Sequence, residues 1–237
     1  MSEVDEMSDE PRNENPDTIG LRRLAGNIAG AKDAKALKAF VGYWQQLRVN
    51  GRVPRRADID PRGIEPLLSN AFIVERIAPG LARLRVAGVH LSDLLGMEVR
   101  GMPISAFFNA GHRDALARHL VQVFDSPATM NLSLRSEGGH GEAALTGTML
   151  LLPLTSDLGD ISRALGCLVT NGTALRPPRR FEITGSQIVP LDVTGPAPTA
   201  GAVPKAARGF AETKAPFTPK SRSERPYLRL VHSQPDE

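Results

Sequence analysis

The stretch Ala71-Phe72-Ile73-Val74-Glu75-Arg76-Ile77-Ala78-Pro79-Gly80-Leu81-Ala82-Arg83-Leu84-Arg85-Val86-Ala87 reads as two strands joined by a tight turn. Ala71 to Ile77 is apolar and rich in β-branched side chains, Pro79-Gly80 is turn chemistry, and Ala82 to Ala87 alternates Leu84 and Val86 with Arg83 and Arg85. Period-two alternation sends successive side chains to opposite faces, so the spacing predicts a hairpin with one buried and one solvated face.

On the N-terminal side, Leu37, Phe40, Val41, Trp44 and Leu47 recur at helical spacing. They predict an amphipathic helix from about Asp33, its cap, to Val49, with Asn50-Gly51 as the stop. Asp60-Pro61 predicts a short helical turn that points Ile64, Leu67 and Leu68 inward and is limited by Pro66. On the C-terminal side come short helical pieces: Leu91, Leu94 and Leu95 before Gly96, then Ile104 to Phe108, then His112 to Asp125 with Leu116, Leu120, Val123 and Phe124 on one side. Three strands follow. Met130, Leu132 and Leu134 alternate with Asn131, Ser133 and Arg135; the turn Glu137-Gly138-Gly139-His140-Gly141 leads into Glu142 to Leu154; Arg163 to Thr170 ends at Asn171-Gly172. Helix, two strands, short helices, three strands is an α+β pattern, one antiparallel sheet with short helices packed on one face.

Composition bounds the rest. The chain has 237 residues, enough for one core of ordinary size, and 29 Lys+Arg against 26 Asp+Glu leave a net charge of +3, too slight to argue for nucleic acid. Residues 1–17 carry seven acids and one base, so residues 1–32 are expected to be a mostly disordered acidic segment. Ten of the 19 prolines fall in 173–237, where ten Lys/Arg outnumber six Asp/Glu, so that stretch is expected to be a basic, mostly flexible tail. The folded domain is assigned to 33–172. The single Cys167 forbids an intramolecular disulfide and suits a reducing compartment, and neither a membrane span nor a targeting signal is evident, so a cytoplasmic location is expected.

The element order, together with the segments Tyr43-Trp44-Gln45-Gln46-Leu47-Arg48, Asp58-Ile59-Asp60-Pro61-Arg62 and Leu94-Leu95-Gly96-Met97-Glu98-Val99-Arg100-Gly101, resembles the alphaproteobacterial group of stand-alone PAS proteins over roughly residues 35 to 175. The resemblance implies a five-stranded antiparallel sheet holding short helices over a central pocket. It also implies signal sensing or protein interaction, with dimerisation common, and no defined ligand.

The candidate pocket residues are Leu94, Leu95, Leu116, His119, Leu120 and Leu132. In haem-binding relatives of the superfamily an axial histidine comes from the long helix that would correspond to His119, but one histidine on a helix is a weak signal and no cofactor is required by the sequence. His112 is read as a helix-start residue. Cys167 is read as a small apolar strand residue, and Asp157 and Asp160 as turn residues around Gly159. The run Arg52, Arg55, Arg56 and Arg62 beside Asp58 and Asp60 is read first as a solvated loop with local ion pairs, and second as a phosphate or cyclic-dinucleotide site. No catalytic constellation or metal-ligand spacing is found, and a non-enzyme is expected.

Tandem Pro177-Pro178 soon after the last strand disfavours a continuous output helix, so any signal is expected to leave by binding another protein. The expected partners are a second copy of the chain, through Leu37, Phe40, Val41, Trp44 and Leu47, and an unidentified signalling protein. Pro226-Tyr227-Leu228-Arg229-Leu230-Val231 reads either as a strand that adds to a partner sheet or as a terminal strand of this domain. Two functions stand: an interaction module filled by its own side chains, and a haem- or metabolite-binding sensor. DNA binding is the weakest reading, because no recognition-helix pattern or concentrated basic face appears.

Overall fold

A computed structural model describes residues 31–137, 144–172 and 176–192, with side chains from Ala34 onward. The expectations for the two terminal segments 1–30 and 193–237, for the turn at 138–143 and for the Pro226–Val231 segment lie outside the described residues.

Helix α1, Ala31–Gln46, begins before Asp33, so Asp33 lies within the helix rather than at its cap. The chain then leaves helical geometry where expected: Asn50 and Gly51 take positive φ values of 54° and 72°. A 3-10 helix spans Pro61–Leu67, with Pro61 in its first turn and the Asp60 carboxylate accepting the Arg62 N–H at 3.0 Å. Ile64 and Leu67 are buried, but Leu68 is 47% exposed, not inward. With three residues per turn, positions 64 and 67 eclipse and 68 is carried a third of a turn away.

Strands β1 (Ala71–Ala78) and β2 (Leu81–Ala87) form the hairpin, followed by α2 (Val89–Leu95), a 3-10 helix at Ile104–Phe107 and α3 (Arg113–Asp125). Gly96, at φ 71°, closes α2 in the left-handed region. The chain ends its described part with β3 (Ala128–Ser136), β4 (Leu145–Leu154), β5 (Arg163–Asn171) and β6 (Glu182–Pro190). The sheet order is β2-β1-β5-β4-β3-β6, every pair antiparallel.

The strand count of five is therefore corrected to six. β6 comes from the stretch read as a tail and pairs with β3 from Ala128↔Pro190 to Arg135↔Glu182. Its pattern is weak because it is an edge strand: most of its side chains are half-buried or exposed, and a terminal proline is tolerated there. The approach to it is well anchored. Phe181 is fully buried and exchanges backbone bonds with the segment before α3, its N–H donating to the Phe107 carbonyl at 2.8 Å and its carbonyl accepting the Asn109 N–H at 3.0 Å. The Ile183 N–H donates to Nδ1 of His112 at 3.2 Å. Residues 176–180 form no helix.

Both sheet faces are covered. On the inner face Phe72, Val74, Leu84, Met130, Leu132 and Met149 pack with residues of α2, α3 and the 3-10 helix between them. On the outer face Ile73, Leu150, Leu152, Leu165 and Cys167 pack with Leu37, Phe40, Val41 and Trp44 of α1. No helix of the described residues is long and apolar enough to cross a membrane.

Candidate functional site

The pocket candidates separate into five residues and one. Leu94, Leu95, Leu116, Leu120 and Leu132 are at most 5% exposed and belong to one contiguous cluster, which also holds Phe107, Phe108, Phe124 and Phe181. His119 is not part of it. About two turns of α3 place Leu116, Leu120 and Val123 inward and leave His119 half-buried, with Nδ1 3.5 Å from the Gln122 carboxamide oxygen. The ring is thus engaged along its own helix instead of within the leucine cluster.

The residues expected to meet a second copy are in the outer core. Leu37 and Trp44 are fully buried, Phe40 and Val41 nearly so, and Leu47 is half-buried against them. The Trp44 indole N–H donates to the Pro153 carbonyl at 3.0 Å, and the Arg48 guanidinium lies 5.4 Å from the ring centroid. While α1 sits on its own sheet, Leu37, Phe40, Val41 and Trp44 face that sheet and Leu47 keeps part of its surface open.

Other candidates fall where local chemistry puts them. Arg55 pairs with Asp58 at 2.8 Å, as a solvated loop requires, and the bridge holds the Asp58 carboxyl below its usual range. Asp160 accepts from the Ser156 hydroxyl, which lowers its carboxyl in the same way. Cys167 is buried in the outer core. Among the described residues no group of three or more His, Cys, Asp or Glu comes together as a metal site.

An accessible site lies instead on the outer face beside α1, and it is created by one irregularity. Between Ile73 and Val74 the β1–β2 register slips: Ile73 pairs with Val86, while the next residue, Val74, pairs with Leu84. Arg85 is the extra residue of a β-bulge. Sequence alternation put Val86 on the same side as Leu84; the bulge turns it to the outer face beside Ile73, where it is 45% exposed. Leu165 of β5 pairs across Ile73 from the other side.

The 3-10 segment forms the opposite wall with Ile59, Pro61, Ile64 and Leu68. It is held there by Tyr43 of α1, whose hydroxyl accepts the Asp60 N–H at 2.7 Å, and Gly63 lets the ring approach because a Cβ at that position would overlap it. The result is an open apolar cavity of about 280 Å³. A second, more polar cavity of about 400 Å³ adjoins it through the shared residues Arg56, Ile73 and Val86, and adds Arg85, Arg163 and Glu75. Arg85 and Arg163 both bridge to Glu75, and Arg163 also lies 3.9 Å from Asp157. Arg56 is fixed by its backbone N–H donating to the Thr155 carbonyl at 2.9 Å, and its side chain makes no ion pair among the described residues. No signal in the sequence finds this groove, since four separate segments build it and its floor depends on a bulge.

The antiparallel sheet, with short helices inserted between β2 and β3 and packed on one face, defines an α+β domain. The PAS domain family model matches residues 32–169, and the chain belongs to that family. The match takes in α1 through most of β5 and leaves β6 outside. No curated protein sequence matches the chain. Among solved structures, a chain described as an RNA-binding light-oxygen-voltage receptor is 14% identical, with a TM-score of 0.33 over 64% of this chain and 48% of that one. This chain thus spans about half the length of that receptor chain.

Proposed function

We propose that this PAS protein is a cytoplasmic signalling regulator that acts by binding another protein, with its sensor interior filled by its own side chains. Family membership supplies the signalling class. The observation that carries the rest is the contrast between the two faces. The five leucines where a ligand would sit are packed with five phenylalanines in a single buried cluster, while exposed apolar side chains such as Leu68 and Val86 meet at the outer groove. Packed interiors resist entry of a second molecule, because each void must be opened against close-packed side chains. Exposed apolar area adjoining polar residues is characteristic of contact surfaces. Chemistry on a substrate is no part of this reading.

Two measurements on the full chain test it. Native mass spectrometry of the purified protein is expected to give the mass of the polypeptide alone, and cross-linking in the producing cell is expected to give an adduct heavier than the chain. A retained small molecule would favour the metabolite- or haem-sensor reading, and absence of any heavier adduct would overturn the interaction reading.

A further inference from the structure

Resting on the reading of the chain as a protein-binding regulator, the geometry points to the outer groove between the β1–β2 edge and the 59–68 segment as a docking site for an acidic, amphipathic segment of a partner protein. Such a segment would lay one or two bulky apolar side chains on Ile73, Val86 and Leu165 and set carboxylates against Arg56, Arg85 and Arg163.

Three observations converge on that occupant. The apolar cavity, at about 280 Å³, is larger than the roughly 150 Å³ that holds a benzene ring, so an aliphatic or aromatic anchor fits. Its mouth carries three guanidinium groups against one carboxylate, Glu75, among the lining residues of the adjoining cavity. Glu75 is already shared between Arg85 and Arg163, and Asp157 lies 3.9 Å from Arg163, so Arg56 is the guanidinium that adds positive charge to the rim, and guanidinium forks are geometrically suited to carboxylates. Finally, the floor is aliphatic. Nucleic acid would use the arginines for phosphates but gains chiefly from aromatic stacking platforms, whereas Val86, Ile73 and Leu165 suit the side chains of a peptide.

The test is fluorescence anisotropy on the full-length protein with a short fluorescein-labelled peptide in which Asp and Glu flank Leu and Phe. Saturable binding is expected, weakening as salt rises because exposed charge pairs are screened. Val86→Glu, which places a carboxylate on the apolar floor, and Arg56→Glu, which inverts the rim, are each expected to weaken it about tenfold or more. Val86 is exposed and Arg56 half-buried, and an unchanged circular-dichroism melt will show that the variants fold. Peptides with Lys for the acids, or Ser for Leu and Phe, are expected not to bind.

Five results would overturn the assignment. These are no binding by the wild type, or equal binding by both variants; displacement of the peptide by single-stranded RNA with the same sensitivity to Val86→Glu; binding that appears only after the acids of residues 1–17 are replaced by amides, which would make this chain's own segment the occupant; and a dimer by light scattering that Val86→Glu dissociates, which would make it a second copy. Cellular cross-linking separates this inference from the broader one. If the heavy adduct survives both substitutions, the groove assignment fails and the interaction reading stands; if wild type forms none, both fail.

Discussion

The indole N–H of Trp44 reaches the carbonyl of Pro153 at 3.0 Å, joining the first helix to the middle of the sheet across 109 residues of chain. It fixes α1 on the outer face at the point where β4 carries a proline, and it makes the helix part of the domain core.

Replacing Trp44 separates its two roles. Trp44→Phe keeps most of the ring and loses the donor, and should cost about 1 kcal/mol. Trp44→Ala also opens a cavity among Phe40, Leu152 and Leu154 and should cost about 3–5 kcal/mol, read as a lowered urea midpoint. An alanine variant as stable as the phenylalanine one would contradict the packing of α1 described above.

Gly166 pairs directly with Phe72, and a Cβ there would overlap the Phe72 ring. Gly166→Ala must push that ring into the inner cluster, an overpacking that typically costs about 1–3 kcal/mol. Differential scanning fluorimetry should show a lowered melting temperature, and Phe72→Leu in the same chain should recover part of the loss.

Strand β6 depends on its anchor more than on its own sequence. Phe181→Ala should free the strand, so that amides of β6 and of the β3 edge exchange with deuterium faster while those of β1 and β5 keep their protection. His112→Ala, which removes the acceptor of the Ile183 N–H, should give the same pattern more weakly. Uniform acceleration over the whole sheet would mean that β6 is not a separable unit.

His90 makes stability depend on pH. Its ring is half-buried, with Nε2 3.0 Å from the Thr170 hydroxyl, and burial pulls its pKa below the ordinary 6.5 against a smaller opposing pull from Asp93. The unfolded chain therefore binds the proton more readily than the folded one. The contribution is fully present above 6.5 and is lost as pH falls below it toward the folded value. The urea midpoint should fall with acid over that window, and His90→Gln should flatten this part of the curve. A slope unchanged by the substitution would assign the effect to other groups.

What could be read from the sequence was what local chemistry specifies. The α1 stripe, the Asp60-Pro61 start, the Gly96 stop and the hairpin around Pro79-Gly80 each follow from residues within a turn or two of one another. Val86 could not be placed that way. Its phase with Leu84 is correct for a regular strand, and only the bulge at Arg85, set by pairing with β1, reverses it. β6 was hidden for a related reason: an edge strand buries little, so its alternation is faint, and what holds it is Phe181 against the 107–109 segment. Leu94, Leu95, Leu116, Leu120 and Leu132 lie in one buried cluster, because helix and strand periodicity aim them at one interior. His119, one residue before Leu120, is turned about 100° from it around the helix and so lies outside that cluster.

The fastening of Phe181 and Ile183 to residues 107–112 means that β6 answers to two neighbours at once, β3 along its length and the helical layer at its head. A shift of the segment ahead of α3 would tug on the rim of the sheet directly, without first having to disturb the hydrophobic centre. The same layer is bonded to the opposite margin, where the Leu84 N–H donates to the Met102 carbonyl at 2.9 Å and the Leu84 carbonyl accepts the Gly101 N–H at 2.8 Å, so the helices bridge both rims of the sheet.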